Sequence, residues 1–441
     1  MNKAIVVGTG AGGATVAKEI QGHFDVTMLE AGKEFRHLSL GLEIPGALKK
    51  TGLLFDEKLI QLLFPAMRIR KTDDRMILIN AIGHGGTTTI STGNAIRKDE
   101  DLNKLGINLD REFEEIYKEI PVSVNHDRLW RKPTRQLFEI CQRMGFEPQP
   151  TPKMGQYEHC RSCGHCVLGC PHGVKWDSRQ FVKMALDKGA KILSGCRVEK
   201  VVFENGRATG VLAKYKQRLQ FFPADLVILA AGGLGTPVIL QNSGIECEPH
   251  LFVDPVLCVA AEWKRSIQNQ EIPMPFVVQR EHYILSPYFD HLSFFFNKNW
   301  RYPAQNILSI MIKLADNNVG DISKGKIKKT LTDQDKDRLD EAVTVCKDIL
   351  NRLGISKDDI FLGTINAGHP GGMLPLSEKE AVTFHDPRLP ENLYVADATL
   401  LPNALGNPPI LTIVAMAKQV SRLCIHRWSI DGGRAVTPRP A

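Results

Sequence analysis

The chain has 441 residues, a formal net charge of +7, 43% hydrophobic content and 24% charged content. These are globular values, and the length exceeds one ordinary core and suits two interleaved domains. The modest charge gives no ground for a nucleic-acid partner, and no stretch reaches the ~20 apolar residues that span a bilayer, which leaves any membrane contact peripheral.

The N-terminus, Met1-Asn-Lys-Ala-Ile-Val-Val-Gly, runs straight into glycines with no small-residue cleavage site, so it reads as a strand and not a signal peptide. Gly8, Gly10 and Gly13 follow in G-x-G-x-x-G spacing, then Ala14, Val16, Ala17 and Ile20 on one helix face, then a strand at 26–29 closed by Glu30. This is the βαβ context of a dinucleotide site. Gly8 permits the turn, Gly10 admits the pyrophosphate, Gly13 lets helix meet strand, and Glu30 accepts a ribose hydroxyl. Residues 35–75 read as mixed and irregular. At 83–94, Gly-His-Gly-Gly-Thr-Thr-Thr-Ile-Ser-Thr-Gly-Asn offers bare backbone and small hydroxyls suited to wrapping a flat cofactor.

Cys160, Cys163, Cys166 and Cys170, with Pro171 next, are spaced Cys-x-x-Cys-x-x-Cys-x-x-x-Cys-Pro, the run of bacterial-type ferredoxins. A 4Fe-4S cluster is the favoured reading. Structural zinc, which usually spaces two Cys pairs further apart, and ordinary or disulfide cysteines are the alternatives. No second run exists, so the fourth ligand is either Cys170, which is expected, or a remote cysteine. The other six cysteines (141, 196, 247, 258, 346 and 424) are scattered singly. That pattern argues against a secreted disulfide scaffold and for a reducing, cytoplasmic setting.

Strands are expected at 192–195, 197–202 and 225–233, the last ending in glycines, and a second sheet over 250–320. The basic cluster Lys324-Gly-Lys326-Ile-Lys328-Lys329 reads as a solvated loop. Thr332 caps a helix ending at Gly354, with Leu339, Ala342, Val343, Cys346, Ile349, Leu350 and Leu353 on one face. A short strand at 393–397 ends in Asp397. Pro408-Pro409 opens an apolar helix over 410–423, and residues from 431 form a loose tail.

These pieces together resemble the glucose–methanol–choline (GMC) oxidoreductases, which are FAD-dependent. Residues 5–32 resemble the FAD fingerprint, 83–94 the first signature, and Ala230-Ala-Gly-Gly-Leu-Gly-Thr-Pro through Ser243-Gly244-Ile the second. Tyr394-Val-Ala-Asp397 and Asn407-Pro-Pro-Ile resemble the C-terminal return to the flavin. The resemblance implies an α/β fold: a discontinuous Rossmann-like FAD domain (1–100 and 176–248) with a smaller sheet-based substrate domain (249–368). A helical substrate-side segment (101–154), an iron–sulfur insert (155–175), a C-terminal return (369–430) and a tail (431–441) complete the division. Gly85, Gly86, Thr87, Asn94, Val198, Ala231, Gly232 and Asp397 join Gly8, Gly10, Gly13 and Glu30 as FAD-binding residues. The catalytic pair is His369, in His369-Pro370-Gly371-Gly372, with Asn407, and Asn403 is the fallback for Asn407. Thr88-Thr89-Ile90-Ser91 stands where some members attach FAD through a histidine, so FAD is expected to be non-covalent.

The expected activity is dehydrogenation of a small-molecule alcohol by hydride transfer to flavin N5. His369 acts as base, and electrons leave singly through the 4Fe-4S cluster to a ferredoxin, cytochrome or quinone-linked acceptor. The alternatives are a reductase of a carbonyl or C=C fed by a low-potential donor, and a flavin/iron–sulfur electron-transfer subunit.

Overall fold

The computed structural model describes residues 1–34, 66–323 and 325–430. The expectation for 35–65, the position Lys324 and the tail from 431 lie outside the described residues. A five-stranded parallel sheet has the order Leu393–Val395, Leu226–Leu229, Lys3–Val7, Asp25–Glu30, Lys191–Ser194. Ala4, Ile5, Val6 and Val7 are all buried in succession, so both faces of this strand are covered. The helix Ala11–Ile20 packs on the sheet and on the C-terminal helix Ile410–Ile430. An antiparallel meander, Arg197–Glu204, Arg207–Tyr215 and Arg218–Pro223, packs against the Leu226–Leu229 strand. From Lys3–Val7 the chain continues to Asp25–Glu30 on one side, whereas Leu226–Leu229 lies on the other. The carboxyl end of Lys3–Val7, where Gly8 begins, is therefore a topological switch point.

The second sheet has nine strands and is the larger of the two. Val256–Glu262 and Ile307–Leu314 pair antiparallel at its centre. Along the first of these, Leu257, Val259 and Ala261 face one core and Cys258 and Ala260 the other, the period of a strand buried on both sides. The helix Asp333–Arg352 covers the first face with Leu339, Ala342, Val343, Cys346, Ile349 and Leu350. Thr332 and Asp335 form a capping box at its start.

Two expectations are corrected. Within 35–75, residues Met67–Lys71 form a strand paired with Ile77–Ala81. That hairpin joins the second sheet through Asn366–Ala367, so the sheet draws on residues outside 249–368. The basic cluster is not a solvated loop. Gly320–Ser323 and Lys326–Lys329 pair antiparallel, and Ile322 and Ile327 alternate into the core. Lys329 points inward with them and meets Asp316 at 2.6 Å, both side chains 0% exposed. The charge count of the segment concealed this period-two pattern.

Lys329→Ala would leave Asp316 buried without its counter-charge. The expected loss is about 3–5 kcal/mol of stability, read as a lower urea midpoint at unchanged m-value.

Candidate active site and cysteine centre

The switch point opens into a cavity of about 570 Å³. Its first wall is the glycine turn. Gly8, Thr9, Gly10 and Ala11 line it, and the helix that follows begins without an acidic residue in its first turn, leaving its N–H groups for an anion. Gly13 lies behind, where a Cβ would sit 2.0 Å from the Gly8 carbonyl oxygen, so it serves packing and not contact. The Glu30 carboxylate accepts from Thr9 N (3.0 Å), Thr9 Oγ1 (2.7 Å) and Gly32 N (2.9 Å), while its residue still lines the cavity. Val198, on the meander's first strand, completes this end.

An adjoining wall is the segment Gly86–Ile90, a tight helical turn that places Gly86, Thr87 and Thr88 on the cavity. Gly85 supports the turn from outside the cavity lining by accepting from Thr88 Oγ1 at 2.6 Å. Gly86 has φ +52, and a Cβ there would lie 2.8 Å from Gly10 Cα, so the two glycine loops touch backbone to backbone. Asn94 lines the wall, donating to Met274 Sδ at 2.9 Å and accepting from Lys153 Nζ. At the far end Ala231, Gly232 and Asp397 meet. Asp397 Oδ2 accepts from Gly232 N (2.8 Å) and Thr236 Oγ1 (2.5 Å), and Oδ1 from Thr399 N (2.9 Å). Burial raises this carboxyl above its ordinary range.

His369 lies on the cavity wall. The next residue is pinned, because a Cβ on Gly233 would come 1.9 Å from the Pro370 carbonyl oxygen. His369 Nδ1 is buried, without a hydrogen-bond partner, and 3.6 Å from Asp254 Oδ2, too long for a hydrogen bond but close for a charge. Nε2 is the nitrogen left to the cavity. Burial, and then the Lys313 ammonium, pull the imidazole down to about 4. Lys313 also lines the cavity, and its Nζ meets Asp254 Oδ2 at 2.9 Å. Asp254 sits at φ +53, a left-handed conformation over-determined by its surroundings. Its N–H donates to Asp316 at 2.7 Å, and its Oδ1 accepts from Gly406 N at 2.9 Å.

Asn407 is buried beside the cavity, whose lining includes its neighbours Pro408 and Pro409. Its Nδ2 donates to Gln279 Oε1 (3.3 Å) and Leu405 O (3.4 Å), and its Oδ1 is buried and unpartnered. Asn403, its fallback, bonds Asn318 and Asp101 away from the cavity. Sequence reasoning missed Lys313 and Asp254. One signal was present: Lys313 is the only charge in the apolar strand Ile307–Leu314.

Cys160, Cys163, Cys166 and Cys170 all line one small pocket, and all four are free thiols. Among the described residues no three His, Cys, Asp or Glu donors converge as a single ion requires. That arrangement does not favour zinc, and a ferredoxin-like site is likewise not formed as it stands. Burial pushes Cys166 up to about 11 and raises Cys160 and Cys163. Two buried ammonium groups oppose this at Cys166. Lys175 Nζ donates to the carbonyls of Thr88, Thr89, Ser91 and Cys166 at 2.7–3.1 Å. Lys153 Nζ donates to Thr92 O (3.3 Å), Pro273 O (2.6 Å) and Asn94 Oδ1. Burial lowers Lys153 to about 7, and the nearby sulfurs raise it. Val167 and Leu168, inside the cysteine run, line the main cavity.

A family model for GMC oxidoreductases matches residues 2–258. The chain belongs to the GMC oxidoreductase family. It is 26% identical over 424 residues to an uncharacterized protein of Methanocaldococcus jannaschii, covering 95% of this chain and 98% of that one. It is 30% identical over 271 residues to an uncharacterized GMC-type oxidoreductase of Mycobacterium tuberculosis, and 24% identical over 262 residues to a long-chain-alcohol oxidase of Arabidopsis thaliana. These matches cover 56% and 55% of this chain, and 40% and 34% of those proteins. Among solved structures, pyridoxine 4-oxidase from Mesorbium loti superposes with a TM-score of 0.70 at 15% identity, over 96% of this chain and 99% of that one. A formate oxidase superposes with a TM-score of 0.69 at 15% identity, over 98% of each chain. The mixed α/β architecture is thus that of GMC oxidoreductases. No helix among the described residues is long and apolar enough to cross a membrane.

Gly86→Ala would drive a methyl group against Gly10 at a positive φ. The expected result is a folded protein whose purified flavin content falls at least tenfold, measured by absorbance after denaturation.

Proposed function

We propose that this GMC oxidoreductase is a dehydrogenase that oxidises the CH–OH group of a hydrophobic alcohol, using non-covalent FAD and an iron–sulfur centre. One observation carries the reading: a single cavity receives the glycine turn, the Gly86–Ile90 loop, His369 and Val167–Leu168 of the cysteine run. The residues fit FAD. The N–H groups at 10–13 would take the pyrophosphate, Glu30 a ribose hydroxyl and Val198 the adenine. Gly86, Thr87 and the Asp397 loop would border the ring system. FAD, when bound, accepts a hydride from the substrate carbon.

The cluster reading is supported by the Cys-x-x-Cys-x-x-Cys-x-x-x-Cys-Pro spacing and by the four thiols lining one pocket with Lys175. Cys160, Cys163, Cys166 and Cys170 would hold it, and it would pass electrons singly to an external ferredoxin, cytochrome or quinone-linked acceptor.

The chain's own part is proton handling and orientation. His369, neutral at working pH, takes the hydroxyl proton at Nε2 as the carbon gives up its hydride, leaving a carbonyl product. The Lys313 ammonium stabilises the substrate oxygen as negative charge grows on it. Asp254 holds Lys313 in place and lies 3.6 Å from His369, and the free Oδ1 of Asn407 is an acceptor beside the same wall. Met67, Ile79, Met274, Leu292, Phe295 and Met311 line the remaining space and suit an apolar chain.

His369→Ala should lower alcohol turnover with an artificial acceptor by about 10²–10⁴-fold while FAD stays bound. Undiminished electron flux would instead identify a relay subunit, and faster turnover of the ketone with reduced viologen a reductase. Because the imidazole must be neutral, kcat/KM in the parent enzyme should stay level from neutrality down to about pH 5 and fall below it, as His369 protonates near about 4. A pH–rate profile that falls already near pH 6.5 would exclude this environment for the base. Protein purified without air should carry flavin, iron and acid-labile sulfide, and flavin alone would remove the iron–sulfur part of the reading.

A further inference from the structure

Apart from His369, Lys313 and Asp254, the cavity has three more polar side chains whose hydrogen-bonding atoms the protein leaves unspent. Tyr288, His291 and Asn366 all line it, the first two in the same stretch of chain as Leu292 and Phe295. His291 Nδ1 lies 3.2 Å from the Phe289 carbonyl oxygen. A carbonyl only accepts, so Nδ1 carries the proton and Nε2 is a bare acceptor. Burial pulls this imidazole down to about 4, which keeps it neutral at working pH. Nε2 is buried and meets no partner among the described residues. Asn366 is oriented in the same way. Its Nδ2 donates to Asp290 Oδ2 (3.4 Å) and Thr364 O (3.1 Å), which leaves Oδ1 as a second acceptor. The Tyr288 hydroxyl, also without a partner among the described residues, supplies a donor. His291 and Asn366 are 5% and 8% exposed, so bulk water does not satisfy them. Buried polar atoms left unmet are unfavourable, and a group of them on one cavity points to a ligand.

We propose that Tyr288, His291 and Asn366 form a second subsite of the cavity, which binds a hydroxyl of the substrate other than the one oxidised, so that the substrate is a diol with an apolar spacer. This rests on the dehydrogenase reading above. The chemistry of the three groups selects a hydroxyl. Its proton can go to His291 Nε2 or Asn366 Oδ1 while the same oxygen accepts from Tyr288. A carboxylate has no proton for the two acceptors, and an ammonium has no lone pair for the phenol. A methyl end would leave all three unpaired, which is how a hydrogen-bonding site rejects an analogue that lacks the polar group. Asn366 stands three positions before His369, so their Cα atoms are at most about 11 Å apart, which sets the scale of the spacer. Met274, Leu292 and Phe295 on the same cavity suit its methylene groups.

The test uses flavin-loaded enzyme with an artificial acceptor. α,ω-Diols from 1,3-propanediol to 1,8-octanediol are compared with the 1-alkanols of equal length. The parent should favour at least one diol by about tenfold or more in kcat/KM, beyond the factor owed to its two equivalent ends. Tyr288→Phe and His291→Leu should each cut that preference about fivefold or more, and should lower KM for the 1-alkanol, because its alkyl chain then meets apolar surface. A side chain that only supports the fold would weaken both substrates together. A parent without a diol preference, a preference that survives in both variants, or a parallel loss of both substrates overturns the proposal. If His291→Leu does not fold or does not hold FAD, Tyr288→Phe, smaller by one oxygen, decides alone. A parent that holds FAD and oxidises no alcohol overturns the dehydrogenase reading. The same ratio is then read as Kd from perturbation of the flavin spectrum. A diol preference abolished by Tyr288→Phe supports the subsite there, and its absence overturns it.

Discussion

Positive charge kept away from water organises this protein's working parts. An ammonium group in the interior must spend its three donors on something, and here it spends them on backbone. The turn Gly86–Ile90 leaves carbonyls without helical partners, as any short helix does. Lys175 gathers those of Thr88 and Thr89 and joins them to Cys166. Lys313 does comparable work at the other end through a carboxylate. It pairs with Asp254, whose strained backbone is fixed in turn by Asp316, and Asp316 is neutralised by Lys329. The Lys313–Asp254 pair beside His369 is thus held by a relay of buried charges that reaches back to the Lys326–Lys329 strand.

The site could not be assembled from fewer segments. The glycine turn belongs to the parallel sheet, Lys313 and Met311 to the nine-stranded sheet, and His369 to the loop that follows Asn366–Ala367. Each segment is precise because it leaves a rigid element. The close backbone approaches, Gly86 on Gly10 and Gly233 on Pro370, lock these loops to one another with no side chain between them. A cofactor lying across the seam would touch both sheets, so its binding and the docking of the two layers are one process.

The parallel sheet was legible because its signals are local: an apolar run, glycines at fixed spacing, and an acidic residue closing the next strand. The helix at Asp333–Arg352 was legible for the same reason, down to its Thr332 cap. Of the residues expected at the cofactor from family resemblance, 8, 10, 30, 86, 87, 94, 198, 231, 232 and 397 line one cavity, and Gly13 and Gly85 do not. What escaped were residues whose meaning is set by distant partners. Lys329 looked like one more surface lysine because Asp316 does not announce itself in sequence. Lys153 sits in Thr-Pro-Lys-Met-Gly, with nothing to mark it as buried. Asp254 draws its role from Lys313 and His369, 59 and 115 positions away. Periodicity reports which face of an element is covered, and is silent on charges that find one another across the fold.

The same charge arithmetic bears on what the cavity can admit. Lys313 would ordinarily suggest an anionic ligand, but its charge is matched at 2.9 Å by Asp254. His369 adds none, since burial holds its imidazole neutral. Those three groups together therefore carry no net charge, while the rest of the lining combines methionines, leucines and Phe295 with polar Tyr288, His291 and Asn366 and with Arg70. A carboxylate or phosphate placed against His369 would lose its hydration without gaining an unpaired cation from this triad, which is unfavourable in a buried site. On the proposed reading a neutral alcohol would lose little, could hydrogen-bond to His369, and would meet the Lys313–Asp254 dipole where its oxygen becomes negative during reaction. The pair would then discriminate by timing: neutral toward an arriving substrate and attractive toward the charge that develops in the transition state.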